Sequence, residues 1–144
     1  VIAVDTNILI HADRVELPLH RLALAALKRL AEGSEAWAIP VFCIGEFLRV
    51  VSHPRVFDPP TPVEEAWASV NALLESPAVR LLTPGASYIA LLGEQLKATD
   101  VKGNLVFDAQ IAAVCLEHGA RTLLTEDRDF ARFRGIRQQP LATF

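Results

Sequence analysis

No apolar run in this 144-residue sequence approaches the roughly 18–20 residues that crossing a bilayer takes. The opening residues do not read as a basic, apolar, small-residue leader, since Asp5 interrupts the first apolar run almost at once. Cysteine is scarce. Cys43 and Cys115 stand without CxxC or Cys/His spacing and read as small core residues in a reducing cytoplasm, not as a redox pair. An excess of positive charge is lacking as well. The formal net charge is −3, so a polyanionic partner has to be met by local basic patches or bound cations, not by a general field. His11, His20, His53 and His118 are scattered, which disfavours zinc. Repeats, low-complexity tracts and linkers are absent. With 51% hydrophobic and 22% charged residues the composition is that of an ordinary globular domain, and residues 1–144 suit one unit with a core of its own.

Short β-like runs alternate with helical stretches. Val1–Asp5 (VIAVD) reads as a buried strand, and Pro18–Ala31 as a helix with Leu19, Leu22, Ala23, Ala26, Leu27 and Leu30 at helical spacing, ended by Gly33. Ala36–Pro40 reads as a strand and Ile44–Val51 as a helix stopped before Pro54. Thr61, Pro62 and Glu64 predict a capping box with proline at the first helical position. Strand Val79–Leu82, helix Ser87–Ala98, helix Asn104–His118 ended by Gly119, strand Arg121–Thr125 and a last strand near Gly135–Gln138 complete the chain. Such alternation predicts an α/β fold with a parallel sheet covered on both faces, whose ligands sit beyond the carboxyl ends of the strands. Asp5 and Asp127 fall on that rim.

Why the strand ending at Leu124 runs straight into Glu126, Asp127 and Asp129 is the question the sequence poses. Acids solvating a turn are one answer; acids holding a cation are the other. Asp108 favours the second. At about 100° per residue it projects among Leu105, Ile111, Ala112 and Cys115, with Asn104 one turn earlier, while Gln110 and Glu117 form the expected wet face. A carboxylate on an apolar face is costly unless it is paired, hydrogen-bonded or bound to metal. Glu46 lies at the border of an apolar arc, flanked by Cys43 and Val50, and fits a half-buried acid or a solvated one. Asp5 ends an apolar strand and can also cap the helix that follows. Acids crowded on one rim repel each other, and Mg²⁺ or Mn²⁺, which prefer oxygen ligands, would remove the conflict.

The segments DTNILIH, GEFLRV, GNLVFDAQIAAVCLEHGA and LLTEDRDF, in this order, resemble a PIN domain, and more narrowly the VapC toxins of bacterial toxin–antitoxin pairs. The resemblance spans essentially the whole chain. It implies a PIN-like three-layer α/β/α fold with a short parallel sheet, and a metal-dependent endoribonuclease. Its acids match Asp5, Glu46 and Asp108, with a fourth at Asp127 or Asp129; Thr6, Asn7 and Thr125 match supporting positions, and Glu126 has no counterpart. On this reading Asp5, Asp108 and Asp127 hold one or two Mg²⁺ or Mn²⁺ ions while Glu46 orients or deprotonates water or ligates a second ion. Cleavage would then leave a 5′-phosphate and a 3′-hydroxyl. The resemblance also implies an RNA substrate, a cognate antitoxin whose tail enters the acidic groove, and a homodimer.

Arg14, Arg49, Arg55, Lys97, Lys102 and Arg128 are candidates for phosphate contact, and Ser52–Pro60 is either a specificity loop or a rigid turn. An aspartyl-phosphate phosphatase would need a second aspartate where Asn7 stands and a lysine motif that is absent. A response-regulator receiver would need an aspartate ending a middle strand, and AWAIP has none. A catalytically silent module that only binds RNA or a partner would not need buried charge.

Overall fold

The computed structural model describes residues 1–98 and 100–144. Strands β1 (Ile2–Val4), β2 (Trp37–Pro40), β3 (Val79–Leu82), β4 (Thr122–Leu124) and β5 (Arg137–Gln139) form one parallel sheet in the order β3-β2-β1-β4-β5. The helices are α1 (Thr6–Asp13), α2 (His20–Glu32), α3 (Val41–Val51), α4 (Val63–Leu74), α5 (Tyr88–Ala98) and α6 (Leu105–Glu117). From β1 the chain steps outward through β2 to β3, then crosses back over the sheet to β4. Right-handed crossovers therefore put α1 to α4 on one face and α5 with α6 on the other, a three-layer α/β/α arrangement. Helix pairing agrees: α1 packs on α2 and α3, α3 on α4, and α5 on α6.

The strands are short but apolar on both sides, as a sheet covered on both faces requires. Ala3, Val4, Trp37, Ala38, Ile39, Leu123 and Leu124 are all buried. Helix α6 is the most enclosed helix, with Ala109 and Ile111 to Cys115 inaccessible. Its enclosure corrects the expected wet face. Gln110 is half-buried, and the Glu117 carboxylate, only 9% exposed, accepts from the backbone N–H groups of Gly85 (2.7 Å) and Ser87 (2.8 Å) at the entry to α5.

Other boundaries shift for identifiable reasons. Helix α3 begins at Val41, three residues earlier than its apolar pattern predicts, because Pro40 ends β2 in an extended conformation and the chain turns directly into helix. Helix α2 starts at His20 and turns Leu22 outward, leaving Ala23, Ala26, Leu27 and Leu30 to the core. The expected capping box does not form. Pro62 precedes the first helical residue, and the Thr61 hydroxyl donates instead to Asp13 Oδ2 (2.7 Å) and accepts from Arg14 Nη1 (3.0 Å). Arg14 also donates to the Pro59 carbonyl (2.9 Å) and to Glu16 Oε1 (2.8 Å from Nε), and lies over the Phe57 ring. It is thus a strut tying the Ser52–Pro60 connection to α1, which takes it out of the set of phosphate-contact candidates.

Candidate active site

The strand order reverses at β1, so the gap between β1 and β4 is the switch point of the sheet, where parallel α/β folds place their ligands. Asp5 and Thr125 stand side by side there, each one residue beyond its strand. The Asp5 N–H extends the β1–β4 ladder to the Leu124 carbonyl (3.0 Å), and the Thr125 N–H extends the β4–β5 ladder to Gln139 (3.0 Å).

Asp5 is 4% exposed, and its carboxylate is held from several directions. Oδ1 accepts from the Thr6 N–H (2.7 Å), the N-cap contact of α1. Oδ2 accepts from Asn7 Nδ2 (2.9 Å) and from the Thr125 hydroxyl (2.6 Å). Thr125 is fully buried, and its hydroxyl also accepts from Asn7 Nδ2 (3.0 Å) and the Asp127 N–H (3.0 Å). One proton and two lone pairs are thereby all used. Asn7 closes the network, its Oδ1 accepting from the Glu126 N–H (3.1 Å), while the Glu126 carboxylate accepts from Leu141 N–H (2.7 Å), away from the acids. The acid-rich turn after β4 is therefore ordered by β1 residues across the switch point. Even so, burial pushes the Asp5 carboxyl up from its ordinary 3.8 to about 6, against the lowering effect of the Thr125 and Thr6 bonds and with a further rise from Glu46 and Asp127.

Asp108, Asp127 and Asp129 each offer a carboxylate oxygen within 4.8 Å of the others. Asp127 lies just beyond β4, and its Oδ1 accepts from the Asp129 N–H (2.9 Å), capping the 3₁₀ turn Arg128–Arg132. Both aspartates of TEDRDF thus face Asp108. Asp108 is half-buried, and its carboxyl is pushed up to about 7, first by desolvation and then by Asp127, Asp5, Glu46 and Asp129. Glu46, also half-buried, accepts from the Thr6 hydroxyl at Oε2 (3.2 Å). Asp5 stands outside the aspartate trio, with its oxygens taken up by the network beneath.

A cavity of about 580 Å³ opens above these acids between α3 and α6. Phe42, Gly45, Glu46 and Arg49 line it at i, i+3, i+4 and i+7, one face of α3; Asn104, Leu105, Phe107, Asp108, Gln110 and Ile111 line it from the α6 side, with Asp127 and Asp129. Among the described residues no lysine or arginine lies within 4 Å of Asp5, Glu46, Asp108 or Asp127, and only Asp129 has such a neighbour, Arg132 at 3.6 Å. Among the described residues no histidine lines the cavity. His20 bonds the His11 carbonyl, His53 accepts from the Arg55 N–H and His118 bonds the Thr83 carbonyl. An all-oxygen set with surplus negative charge, whose one cationic neighbour among the described residues is Arg132 beside Asp129, fits a hard divalent ion. Sequence reasoning identified the acids and Arg49 but passed over Gly45 and Phe107. The available signal was the four-residue spacing of Gly45 from Arg49 and the one-residue step of Phe107 from Asp108.

A parallel sheet with carboxylates gathered at its switch point defines the class, and the PIN domain family model matches residues 2–136. Ribonuclease VapC43 of Mycobacterium tuberculosis is 40% identical over 136 residues, covering 94% of this chain and 92% of that protein. Ribonuclease VapC25 of the same organism is 32% identical over 134 residues, covering 93% and 94%. Among solved structures, VapBC2 from Rickettsia felis bound to a promoter DNA fragment superposes with a TM-score of 0.70 at 19% identity, covering 96% of this chain and 97% of the matched one. VapC20 of Mycobacterium tuberculosis, described as a sarcin–ricin-loop-cleaving toxin, does so with 0.67 at 21% identity, covering 95% and 99%. At such identities the structural likeness speaks for the fold alone. The chain belongs to the PIN-domain family, in its VapC branch.

Proposed function

We propose that residues 1–144 form a single PIN-type unit that hydrolyses RNA phosphodiester bonds with the help of Mg²⁺ or Mn²⁺, as the toxin of a VapBC-type pair. The observation that carries this reading is the oxygen trio of Asp108, Asp127 and Asp129, in which the Asp108 carboxyl is held up at about 7 and has no ion-pair partner among the described residues. The choice of RNA rests on the curated relatives, which are ribonucleases by name.

Asp108, Asp127 and Asp129 would hold the ion, with Asp5 completing the negative rim from below. When bound, the ion would supply Lewis-acid charge to the phosphoryl oxygens and lower the pKa of the attacking water. The chain's own residues do the rest. Glu46, held through the Thr6 hydroxyl, orients the water and accepts its proton. The water oxygen forms the new bond to phosphorus while the bond to the 3′ oxygen breaks, and that oxygen leaves as a hydroxyl after protonation, so the products carry a 5′-phosphate and a 3′-hydroxyl. Thr125 and Asn7 keep Asp5 and the Asp127 turn in register through the shared hydroxyl.

The partners we propose are a small antitoxin, in line with the VapBC assembly of the Rickettsia felis neighbour, and a second copy of the chain. Cys43 and Cys115 are free and buried, in keeping with a reducing cytoplasm. No helix among the described residues is long and apolar enough to cross a membrane.

The test is cleavage of total cellular RNA with Mg²⁺ or Mn²⁺, with and without EDTA, followed by mapping of the ends. Asp5→Asn is expected to lose at least about 10²-fold in rate, the usual effect of removing one positioned group. Cleavage that survives EDTA, or ends bearing a 2′,3′-cyclic phosphate, would overturn the reading. Binding without cleavage would favour a silent RNA-binding module.

A further inference from the structure

Phe107 is a large apolar residue left 60% exposed at the mouth of the acidic cavity, one residue before Asp108. A single exposed apolar side chain is unremarkable on most surfaces. Here its place sets it apart, because it lines the same cavity as Glu46, Asp108, Asp127 and Asp129. Phe42, across the cavity, is braced against Tyr88 with ring centroids 5.9 Å apart. Among the described residues neither another ring nor a cation stacks on Phe107. Its ring is free to take a planar partner.

The opposite wall is shaped to admit one. Gly45 stands in the middle of α3, and a Cβ built there would meet nothing within 4 Å. Packing inside the chain therefore does not call for glycine at this position, although glycine in mid-helix costs about 0.5–1 kcal/mol relative to alanine. What its missing side chain does is widen the cavity opposite Phe107. One turn on, Arg49 lines the same wall and makes no ion pair among the described residues. An exposed aromatic ring, an open wall and a free guanidinium around a carboxylate cluster match the parts of a nucleotide: base, ribose and neighbouring phosphate.

We propose that Phe107, Gly45 and Arg49 form a nucleobase subsite beside the acid cluster, in which Phe107 stacks on an unpaired base next to the scissile phosphate. The subsite selects single-stranded RNA, since a base held in a duplex cannot present its face to the ring. It rests on the reading of the chain as a ribonuclease.

The probe is a set of single-stranded RNA nonamers of mixed sequence, each with one 2-aminopurine, whose fluorescence falls on stacking. They are titrated in Mg²⁺ against full-length protein carrying Glu46→Gln, which removes the proton acceptor and leaves the aspartate trio intact, alone and combined with Phe107→Ala or Phe107→Trp. The parent is expected to quench 2-aminopurine at one position, and Phe107→Trp to keep that quench. Phe107→Ala is expected to lose it and to bind roughly 5- to 150-fold more weakly, the range for one base–aromatic stack. The same RNA annealed to its complement is expected to show no quench. Equal binding and quenching by Phe107→Ala would overturn the subsite. So would weaker binding by Phe107→Ala that accompanies a shift from dimer to monomer in sedimentation, which would make the ring a contact between copies. If the parent itself bound none of the RNAs, the ribonuclease reading would fall and the subsite with it, a result distinct from failure of the Phe107 variants alone.

Discussion

On the proposed function, Asp108 is where the stability of the metal-free protein and its activity oppose each other. Burial and the neighbouring carboxylates lift its carboxyl from 3.8 to about 7. For a group fully shielded from water that rise corresponds to roughly 4 kcal/mol. Asp108 is only half-buried, so solvent screening reduces the expected penalty to about 1–2 kcal/mol. The folded-state pKa lies above the unfolded one, and the unfolded chain therefore releases this proton first as pH rises. Stability from this group is present below about pH 4, declines as pH climbs, and is lost above about pH 7. Asp108→Asn keeps the shape of the side chain and removes the titration. In EDTA at pH 8 the variant is expected to be more stable than the parent by about 1–2 kcal/mol, roughly 3–8 °C in Tm for a chain of this size. Near pH 4 the difference should close. Saturating Mn²⁺ should raise the Tm of the parent and leave the variant nearly unmoved, while cleavage by the variant falls at least about 10²-fold. Scanning calorimetry at the two pH values, with and without Mn²⁺, measures the stability changes, and RNA cleavage in Mn²⁺ measures the rate. An Asp108→Asn variant no more stable than the parent at pH 8 in EDTA would refute the idea that this carboxylate is held against its own electrostatics.

Three other outcomes follow from the geometry. Thr125→Val leaves the Asp127 N–H without its partner and removes a donor from Asp5; urea unfolding should show a loss of about 2–3 kcal/mol, and a change below 0.5 kcal/mol, roughly the scale of a neutral surface substitution, would contradict the network. Glu117→Ala removes the acceptor for Gly85 and Ser87; a loss of about 1–3 kcal/mol with faster amide exchange at those two residues is expected, and unchanged exchange would argue against the contact. Gly45→Ala adds a methyl group where no atom lies within 4 Å; urea unfolding should show a gain of about 0.5–1 kcal/mol, and destabilisation would show the wall to be tighter than it looks.

Much of this molecule was legible from pattern alone. Buried strands announce themselves as apolar runs, and Asp5 and Asp127 could be set on one rim because strands alternating with helices impose a parallel sheet. Asp108 was legible because a carboxylate on an apolar stripe violates the period of its helix. Glu117 was not. It sits on the same helix at what periodicity makes the wet side, and only the packing of α5 over α6 turns it into an acceptor for Gly85 and Ser87. Arg14 failed in the same way, since its partners Thr61, Pro59 and Phe57 are more than 40 residues away in sequence.

The sequence by itself determined the alternation of strand and helix, the apolar core and the family, because these depend on local periodicity and on short motifs. Tertiary structure alone decided that both Asp127 and Asp129 face Asp108, that a single Thr125 hydroxyl joins Asp5, Asn7 and the Asp127 backbone, and that Gly45 and Phe107 border the same cavity. The physical reason is reach. A hydrogen bond or a carboxylate pair acts over a few ångströms, and the residues that meet here are brought together only when β4 returns across the sheet to lie beside β1.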